Sequence, residues 1–586
     1  MKRIPILVAA LAATSALAQT APTNLNEKTV AQLQAMMAAG QLTSAQLTQY
    51  YIDRIIALDQ NGPRLNSVIT INPDALTIAR QMDTLRKQGK VLGPLHGIPV
   101  LLKDNIDTGD KEQTTAGSFA LVGSPAVRDA TVTANLRAGG AVILGKTNLS
   151  EWANFRSAFQ SISGWSAVGG QTGNAYGINR NPCGSSSGSG AAVSANLAAV
   201  ALATETDGSI VCPANAEGIA AIKPTVGLTS RAGVVPISHT QDTIGSHGRT
   251  VADAAAVLGV IQSRTFDGRD PATGGVPLGA TGQKRPKNIP TDYTKFLDPN
   301  GLKGARLGLT RQGIDQISPS SINDAWEAAV AQVQAAGATV VDLDAANFSF
   351  PFSQGELLVL CFDFRTDLKN YFATRTGVPL AGGTLTDAIA FNNRPDIAPL
   401  ELTFEDQVLW EICNDMAPGA DDPQNDAFGV FGGETYNQAL ADGRNLAVNG
   451  IDLALAQFHL DAIIAPTGSP AWSTDLLFGD HFTLGSSNLA APEGYPIVQV
   501  PAGTVLGLPF GISFFGSAFS EPTLIKLASG FEAVTQVRAH NLPTLAPDFP
   551  VADGTTVVAP KAAARNSTVN ASSHVKSAKA IKKHSM

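Results

Sequence analysis

Residues 182–214 read PCGSSSGSGAAVSANLAAVALATETDGSIVCPA, and this stretch constrains the fold more than any other. Serine wrapped in glycine (Gly184, Ser185, Ser186, Ser187, Gly188, Ser189, Gly190) is, by itself, most often a flexible linker. Here it runs directly into Ala191–Ala203, an apolar small-residue run that suits a packed helix and not a linker. A second glycine-flanked serine follows in Thr206-Asp207-Gly208-Ser209-Ile210. Ser185 and Ser209 are 24 positions apart on permissive backbone, an arrangement suited to a proton relay feeding a nucleophile. Glycine beside serine also lets main-chain N–H groups come close to a developing oxyanion.

A third piece lies upstream, in HGIPVLLKDNID (96–107). Pro99 to Leu102 is a short apolar run that predicts a buried strand, and it ends in Lys103. Burial strips an ammonium of hydration. It lowers a lysine from about 10.4 toward roughly 7–8, where the neutral amine can act as a base. Alone, such a lysine is ordinarily solvated or ion-paired. Beside two serines it supplies the base that a weakly nucleophilic hydroxyl requires.

Together GIPVLLKDNID, CGSSSGSGAA and TETDGSIVCPA resemble the amidase signature family of serine hydrolases. GGAVILGKTNLSEWAN (139–154), GIAAIKPTVGLTSRAGVVPIS (218–238), DAIIAPTGSPAW (461–472) and the segment 495–516 match it too, so the resemblance covers residues 25–545. SEWANFRS, CGSSSGSGAA and TETDGSIVCPA in combination are most similar to the peptide amidase branch, whose members remove the C-terminal amide of peptides and release ammonia. The resemblance implies Ser209 as nucleophile, Ser185 as the bridging serine after a cis bond from Gly184, and a neutral Lys103 as base. It also implies an oxyanion hole from the N–H groups of Thr206, Asp207, Gly208 and Ser209. Many members carry glycine where this chain has Asp207 and Ser187. Fatty-amide or aryl-amide hydrolysis is the alternative within the family, and an amidotransferase-type subunit supplying ammonia to a partner is the alternative beyond it.

None of the eight histidines accompanies a G-x-S-x-G elbow at Ser209, which is followed by Ile210 and Val211, so a Ser-His-Asp arrangement lacks support. His96 reads as a loop or supporting residue. With no H-E-x-x-H and no paired C-x-x-C, neither a metal nor another cofactor is expected. Net charge is −8, which argues against nucleic-acid binding. The expected partner is a small-molecule or peptide amide substrate, and the oligomeric state is left open.

Met1 to Ala18 reads as a signal peptide. Lys2 and Arg3 form its charged start, Ile4–Leu17 the apolar core and Ala16-Leu17-Ala18 the cleavage site. The run is too short for an ordinary membrane span, so no stable membrane insertion is expected, and the protein is read as exported, periplasmic or extracellular. Residues 19–550 are read as one amidase signature domain. Residues 551–586, rich in Ala, Ser and Lys, are read as a disordered basic tail. Of the four cysteines, Cys183 and Cys212 flank the two serine motifs and are read as small buried packing residues in preference to a bridge. A Cys361–Cys413 bridge is compatible with the spacing but not demanded by it.

Helical spacing runs through Val30–Leu58, with Ser44 as an internal N-cap, and through Pro73–Lys90 up to Gly89. Ala130–Ala138 predicts a helix stopped by Gly139-Gly140 before a strand at Ala141–Leu144, and Val251–Ile261 includes another helix. Alternating helices and short apolar strands predict an α/β fold. The resemblance makes that the amidase-signature fold, a mixed twisted β-sheet core covered by helices on both faces. Residues 265–300 read as a surface excursion. In this family the region matching 350–450 tends to shape the substrate pocket. Phe362, Phe364, Tyr371, Phe372, Trp410 and Phe428 are candidate lining aromatics there, most of them better read as core. Trp152 and Asn154 are the better pocket candidates.

Overall fold

Short apolar runs become strands, and the small-residue segments become helices pressed against them. The computed structural model describes residues 24–548 apart from 159, 275–284, 312–313, 315–317, 352–354 and 427. The leader expected over 1–18 and the basic tail expected over 551–586 lie outside the described residues.

An 11-stranded sheet forms the centre. Its strands in chain order begin with β1 (Val68–Ile71), β2 (Pro99–Lys103) and β3 (Val142–Thr147). A small separate pair, β4 (Trp165–Ser166) and β5 (Gly170–Gln171), comes next. The large sheet resumes with β6 (Val200–Glu205), β7 (Ala220–Lys223), β8 (Thr243–Gly248), β9 (Arg306–Leu309) and β10 (Thr339–Asp342). It ends with β11 (Ala462–Pro466), β12 (Ile497–Val505) and β13 (Leu508–Phe515). Across the sheet the order is β1-β3-β2-β6-β8-β7-β12-β13-β11-β9-β10. β2 lies parallel to both β3 and β6, whereas β6 and β7 each run antiparallel to β8, so the sheet is mixed, as expected. Every residue of β2, β3, β6 and β7 is buried, which is why these strands read as continuous apolar runs with no alternation. Burying Leu101 and Leu102 completely contributes about 1.5–3 kcal/mol each.

The glycine–serine motif forms the fully buried helix Ser187–Ser194. Close packing explains its small residues: a Cβ on Gly188 would lie 2.2 Å from the main-chain oxygen of Ser67 and 2.6 Å from that of Asn148. Predicted helices appear at Ala75–Lys87, Thr131–Ala138 and Val251–Ile261. The helical stretch at 30–58 is two helices, Val30–Ala38 and Ser44–Arg54. The second is capped by Thr43, not Ser44. Thr43 is extended and shares a capping box with Gln46, while Ser44 turns its hydroxyl to Gly97 O. The excursion at 265–300 is only partly superficial, since Tyr293 packs into the core beside helix Val251–Ile261.

Residues 356–446 build a helical layer with its own core, into which Trp152 and Phe155 reach. Phe364, Tyr371, Phe372 and Trp410 are buried there, Phe362 stacks on Tyr436, and Phe428 is exposed. The layer is tied down by Arg156, fully buried among Glu151 (2.7 Å), Glu401 (3.3 Å) and Glu405 (3.5 Å).

Both cysteine pairs are disulfides, Cys183–Cys212 and Cys361–Cys413, which corrects the reading of Cys183 and Cys212 as unbridged packing residues. Helix Ser187–Ser194 carries the chain away from Cys183 and β6 brings it back, so residues 29 apart in sequence have Cα atoms 5.8 Å apart. At the far end, residues 545–548 run back along 175–180. Leu545 N donates to Ala175 O, Ile178 N to Ala546 O and Asn179 N to Pro547 O, and Arg180 pairs with Asp548.

Candidate active site

β2 and β6 are parallel neighbours, with Leu102 opposite Leu202. Their C-terminal ends therefore deliver Lys103 and the Thr206–Ser209 turn to the same edge, the place where α/β sheets bind ligands. Lys103 is completely buried, and its Nζ donates to Ser185 Oγ at 2.7 Å, to Thr204 Oγ1 at 2.9 Å and to Thr204 O at 3.3 Å. Burial pulls its ammonium down to about 7, against the opposing pull of Asp242 and Glu205. Ser185 follows a cis bond from Gly184. That glycine has no room for a side chain, since a Cβ would lie 2.2 Å from Ser150 Oγ. Ser186 N donates to Ser209 O at 3.2 Å, which sets the two serine loops side by side.

Ser209 stands at the floor of a cleft of about 450 Å3. Thr206, Asp207 and Gly208 form one wall, Asn154, Cys183 and Gly184 another, and Trp472, Asp480 and Phe482 line it as well. Gly208 sits at φ +79°, where a side chain would be strained and would crowd Ser487 Oγ. Ile210 N and Val211 N turn away to Glu205 Oε2 at 2.7 and 3.1 Å. Asp207 projects a buried carboxyl beside Glu356, and burial with that neighbour pushes it well above the usual carboxylate range. A larger cavity of about 710 Å3, bounded by Asp107, Arg231, His239 and Tyr371, includes none of Lys103, Ser185 and Ser209. Of the two, only the smaller cleft is lined by Ser209.

Of the residues singled out in the sequence, Lys103, Ser185, Ser209, Thr206, Asp207, Gly208 and Asn154 converge. Trp152 does not join the cleft wall. It packs edge-on against Trp410 and Phe372, and its neighbours Ala153 and Asn154 face the cleft in its place. None of Phe362, Phe364, Tyr371, Phe372, Trp410 and Phe428 lines this cleft, to which the region 350–450 contributes Leu360. His96 is a supporting residue bonded to Met82 O. His247, on β8, holds Ile210 O at 2.8 Å and is kept neutral by burial, which lowers it to about 4.

Four neighbours went unread in the sequence. Thr204 receives Lys103 and also Asn105 Nδ2, and Asp242 accepts Thr206 Oγ1 at 2.6 Å, while Glu205 caps the turn after Ser209. The signal for two of them was the polar triplet Thr204-Glu205-Thr206 closing an apolar strand.

The mixed sheet and its flanking helices define the class as α/β, and the family match makes it an amide-hydrolysing enzyme. The chain belongs to the amidase family, which it matches over residues 46–525. It is 46% identical to the native peptide amidase of Stenotrophomonas maltophilia, whose crystal structure superposes with a TM-score of 0.78 and covers 89% of this chain and 100% of that one. An amidase family protein from Bacillus anthracis is 32% identical, with a TM-score of 0.76 over 89% of this chain and 92% of that one. A glutamyl-tRNA(Gln) amidotransferase subunit from Symbiobacterium thermophilum is 31% identical over 86% of this chain and 96% of its own length.

Proposed function

We propose that this protein hydrolyses carboxamide C–N bonds through an acyl-enzyme on Ser209, with C-terminal peptide amides as substrates and ammonia as the leaving group. Neutral Lys103 takes a proton from Ser185 as Ser185 takes that of Ser209, and Ser209 Oγ attacks the carbonyl. N–H groups of Thr206–Ser209 receive the oxyanion. The proton returns through Ser185 to the departing nitrogen, and water then hydrolyses the ester by the same relay. The observation that carries this reading is the 2.7 Å contact between a fully buried Lys103 Nζ and Ser185 Oγ. A solvated lysine would be charged and could not accept the proton.

Support for peptide amides comes from the 46% identity to a peptide amidase along that enzyme's whole length. Among the described residues no Lys, Arg or His lines the cleft, which suits an uncharged carboxamide. The test is product analysis on a panel of peptide amides, fatty amides and anilides. Ammonia and free peptide acid from the first group are expected, and turnover confined to either of the others refutes the assignment. The amidotransferase relative favours a second reading, ammonia supply to a partner, which predicts that the isolated chain is nearly inactive on peptide amides. Two disulfides suit an oxidising compartment, in keeping with export after cleavage of Met1–Ala18.

A further inference from the structure

We propose that the Cys183–Cys212 disulfide is a positioning element of the catalytic centre, setting the spacing between the loop of Ser185 and the loop of Ser209. The proposal rests on the serine–lysine reading above. Cys183 precedes Ser185 by two residues and Cys212 follows Ser209 by three, so one covalent bond closes across both serines. Each cysteine is firmly held on its own side. Cys183 adopts φ +57°, takes Asn181 Oδ1 on its N–H at 2.7 Å and receives Ser187 Oγ on its carbonyl at 2.6 Å. Cys212 lies in the first turn of helix Val211–Ala216 and donates its N–H to Gly208 O at 2.8 Å. The bridge thus fastens two locally rigid pieces, and a change in it reaches Gly184–Ser185 and Gly208–Ser209 through a few residues at most.

The direct main-chain tie between these loops is the 3.2 Å bond from Ser186 N to Ser209 O, at the long end of the normal range. A three-group relay is sensitive to such spacing, since a misplacement of about 1 Å costs on the order of a hundredfold in rate. Location separates this bridge from an ordinary stabilising one. Cys183 and Cys212 both line the cleft beside Gly184 and Ser209. Cys361–Cys413 instead joins helix Glu356–Phe372 to helix Val408–Asn414 inside the helical layer.

The experiment compares wild type with the Cys183→Ala/Cys212→Ala and Cys361→Ala/Cys413→Ala proteins. For each, kcat and KM on one peptide amide are measured well below the melting temperature, together with the melting temperature and the rate of labelling by a fluorophosphonate, with the label mapped. Loss of the cleft bridge is expected to lower kcat and the labelling rate more than fivefold, with a smaller change in KM. Loss of the other bridge is expected to lower the melting temperature alone. Should Cys183→Ala/Cys212→Ala fail to fold, folded Cys361→Ala/Cys413→Ala enzyme is reduced with dithiothreitol. Two electrons and two protons then convert the bridge to two thiols, countable by alkylation, as the reagent closes to its cyclic disulfide. A fall in kcat of less than fivefold in the folded, bridge-free protein overturns the proposal, as does an equal loss in the Cys361→Ala/Cys413→Ala protein. Label on a residue other than Ser209 in untreated wild type overturns the serine reading and this proposal with it. Label on Ser209 at an unchanged rate without the bridge overturns the positioning role alone.

Discussion

If Lys103 is the working base, its charge balance sets the acid limb of the pH profile, and Asp242→Asn should shift that limb in a calculable direction. With the amine at about 7, roughly nine tenths is neutral at pH 8 and about one tenth at pH 6, so kcat/KM should fall about tenfold between them. Three ionisable neighbours bear on it. His247, lowered to about 4, stays neutral across this range, whereas Asp242 and Glu205 both favour the ammonium. Burial raises Asp242 itself to about 6, so it is largely ionised on the plateau. Replacing it with asparagine keeps an acceptor oxygen for Ile237 N and Ser238 N, turns an NH2 donor to the Thr206 hydroxyl, and removes the negative charge. The neutral amine is then favoured, the pKa of Lys103 falls by roughly 1 unit, and the limb moves to lower pH. At pH 6, where Asp242 is itself only about half ionised, the rate relative to each enzyme's own plateau should rise about two- to threefold. The assay is kcat/KM for one peptide amide from pH 5 to 9, normalised to the plateau so that any loss from disturbing Thr206 divides out. A limb that stays in place, or moves to higher pH, refutes the role of Lys103 as base.

Ser209→Ala should abolish turnover, and in wild type an acyl or inhibitor adduct located by peptide mapping should lie on Ser209; an adduct on Ser185 would reverse the two serine assignments. Lys103→Ala should lose at least about a hundredfold in kcat while circular dichroism stays unchanged, whereas His247→Gln should keep activity within severalfold; equal losses would transfer the base role to the histidine. Gly188→Ala should destabilise by about 1–3 kcal/mol in a denaturant titration, because the added methyl meets main-chain oxygens of Ser67 and Asn148 that cannot move aside. Arg156→Met leaves three buried carboxylates without their cation and should cost about 3–5 kcal/mol by the same measurement; a change under about 1 kcal/mol would show that the cluster is held by its other hydrogen bonds.

Motifs whose function depends on local backbone were readable in the sequence. Glycine at 184 and 188 marks places with no room for a side chain, glycine at 208 marks a left-handed turn, and the strand at Pro99–Lys103 is plain from its apolar run. Burial alone, however, did not single out Lys103. Lys146 in β3 and Lys223 at the end of β7 are just as buried, and their sequences VILGKT and AAIK look alike. Only the partners differ. Lys146 meets Ile106 O and Thr114 Oγ1, Lys223 meets Tyr495 O, and Lys103 meets Ser185. The family resemblance made that distinction, since composition and periodicity carry no information about which side chain a buried amine faces. The same limit hid Arg156, whose partner Glu401 is 245 residues away, and the Cys183–Cys212 bridge, and left Cys361–Cys413 undecided, because spacing along a chain says nothing of the path between its ends. Trp152 was misplaced because three residues in succession, Trp152 to Asn154, adopt positive φ, which rotates the tryptophan into the helical layer and its neighbours outward.

The return of residues 545–548 along 175–180 bears on how far the protein can be trimmed or tagged. Those bonds are largely main chain to main chain, so they depend on the presence of the segment more than on its composition. They hold the stretch that passes through Asn181, whose side chain carries the amide of Cys183, and so reach the rim of the cleft. A shortened version ending at Asp548 retains the whole strap. One ending before Leu545 frees the edge strand-like run at 178–180 and is expected to lose turnover before it loses helix content. A fusion partner is therefore better joined after a spacer beyond Asp548 than abutted to it, since that junction lies close to the wall of the Ser209 cleft.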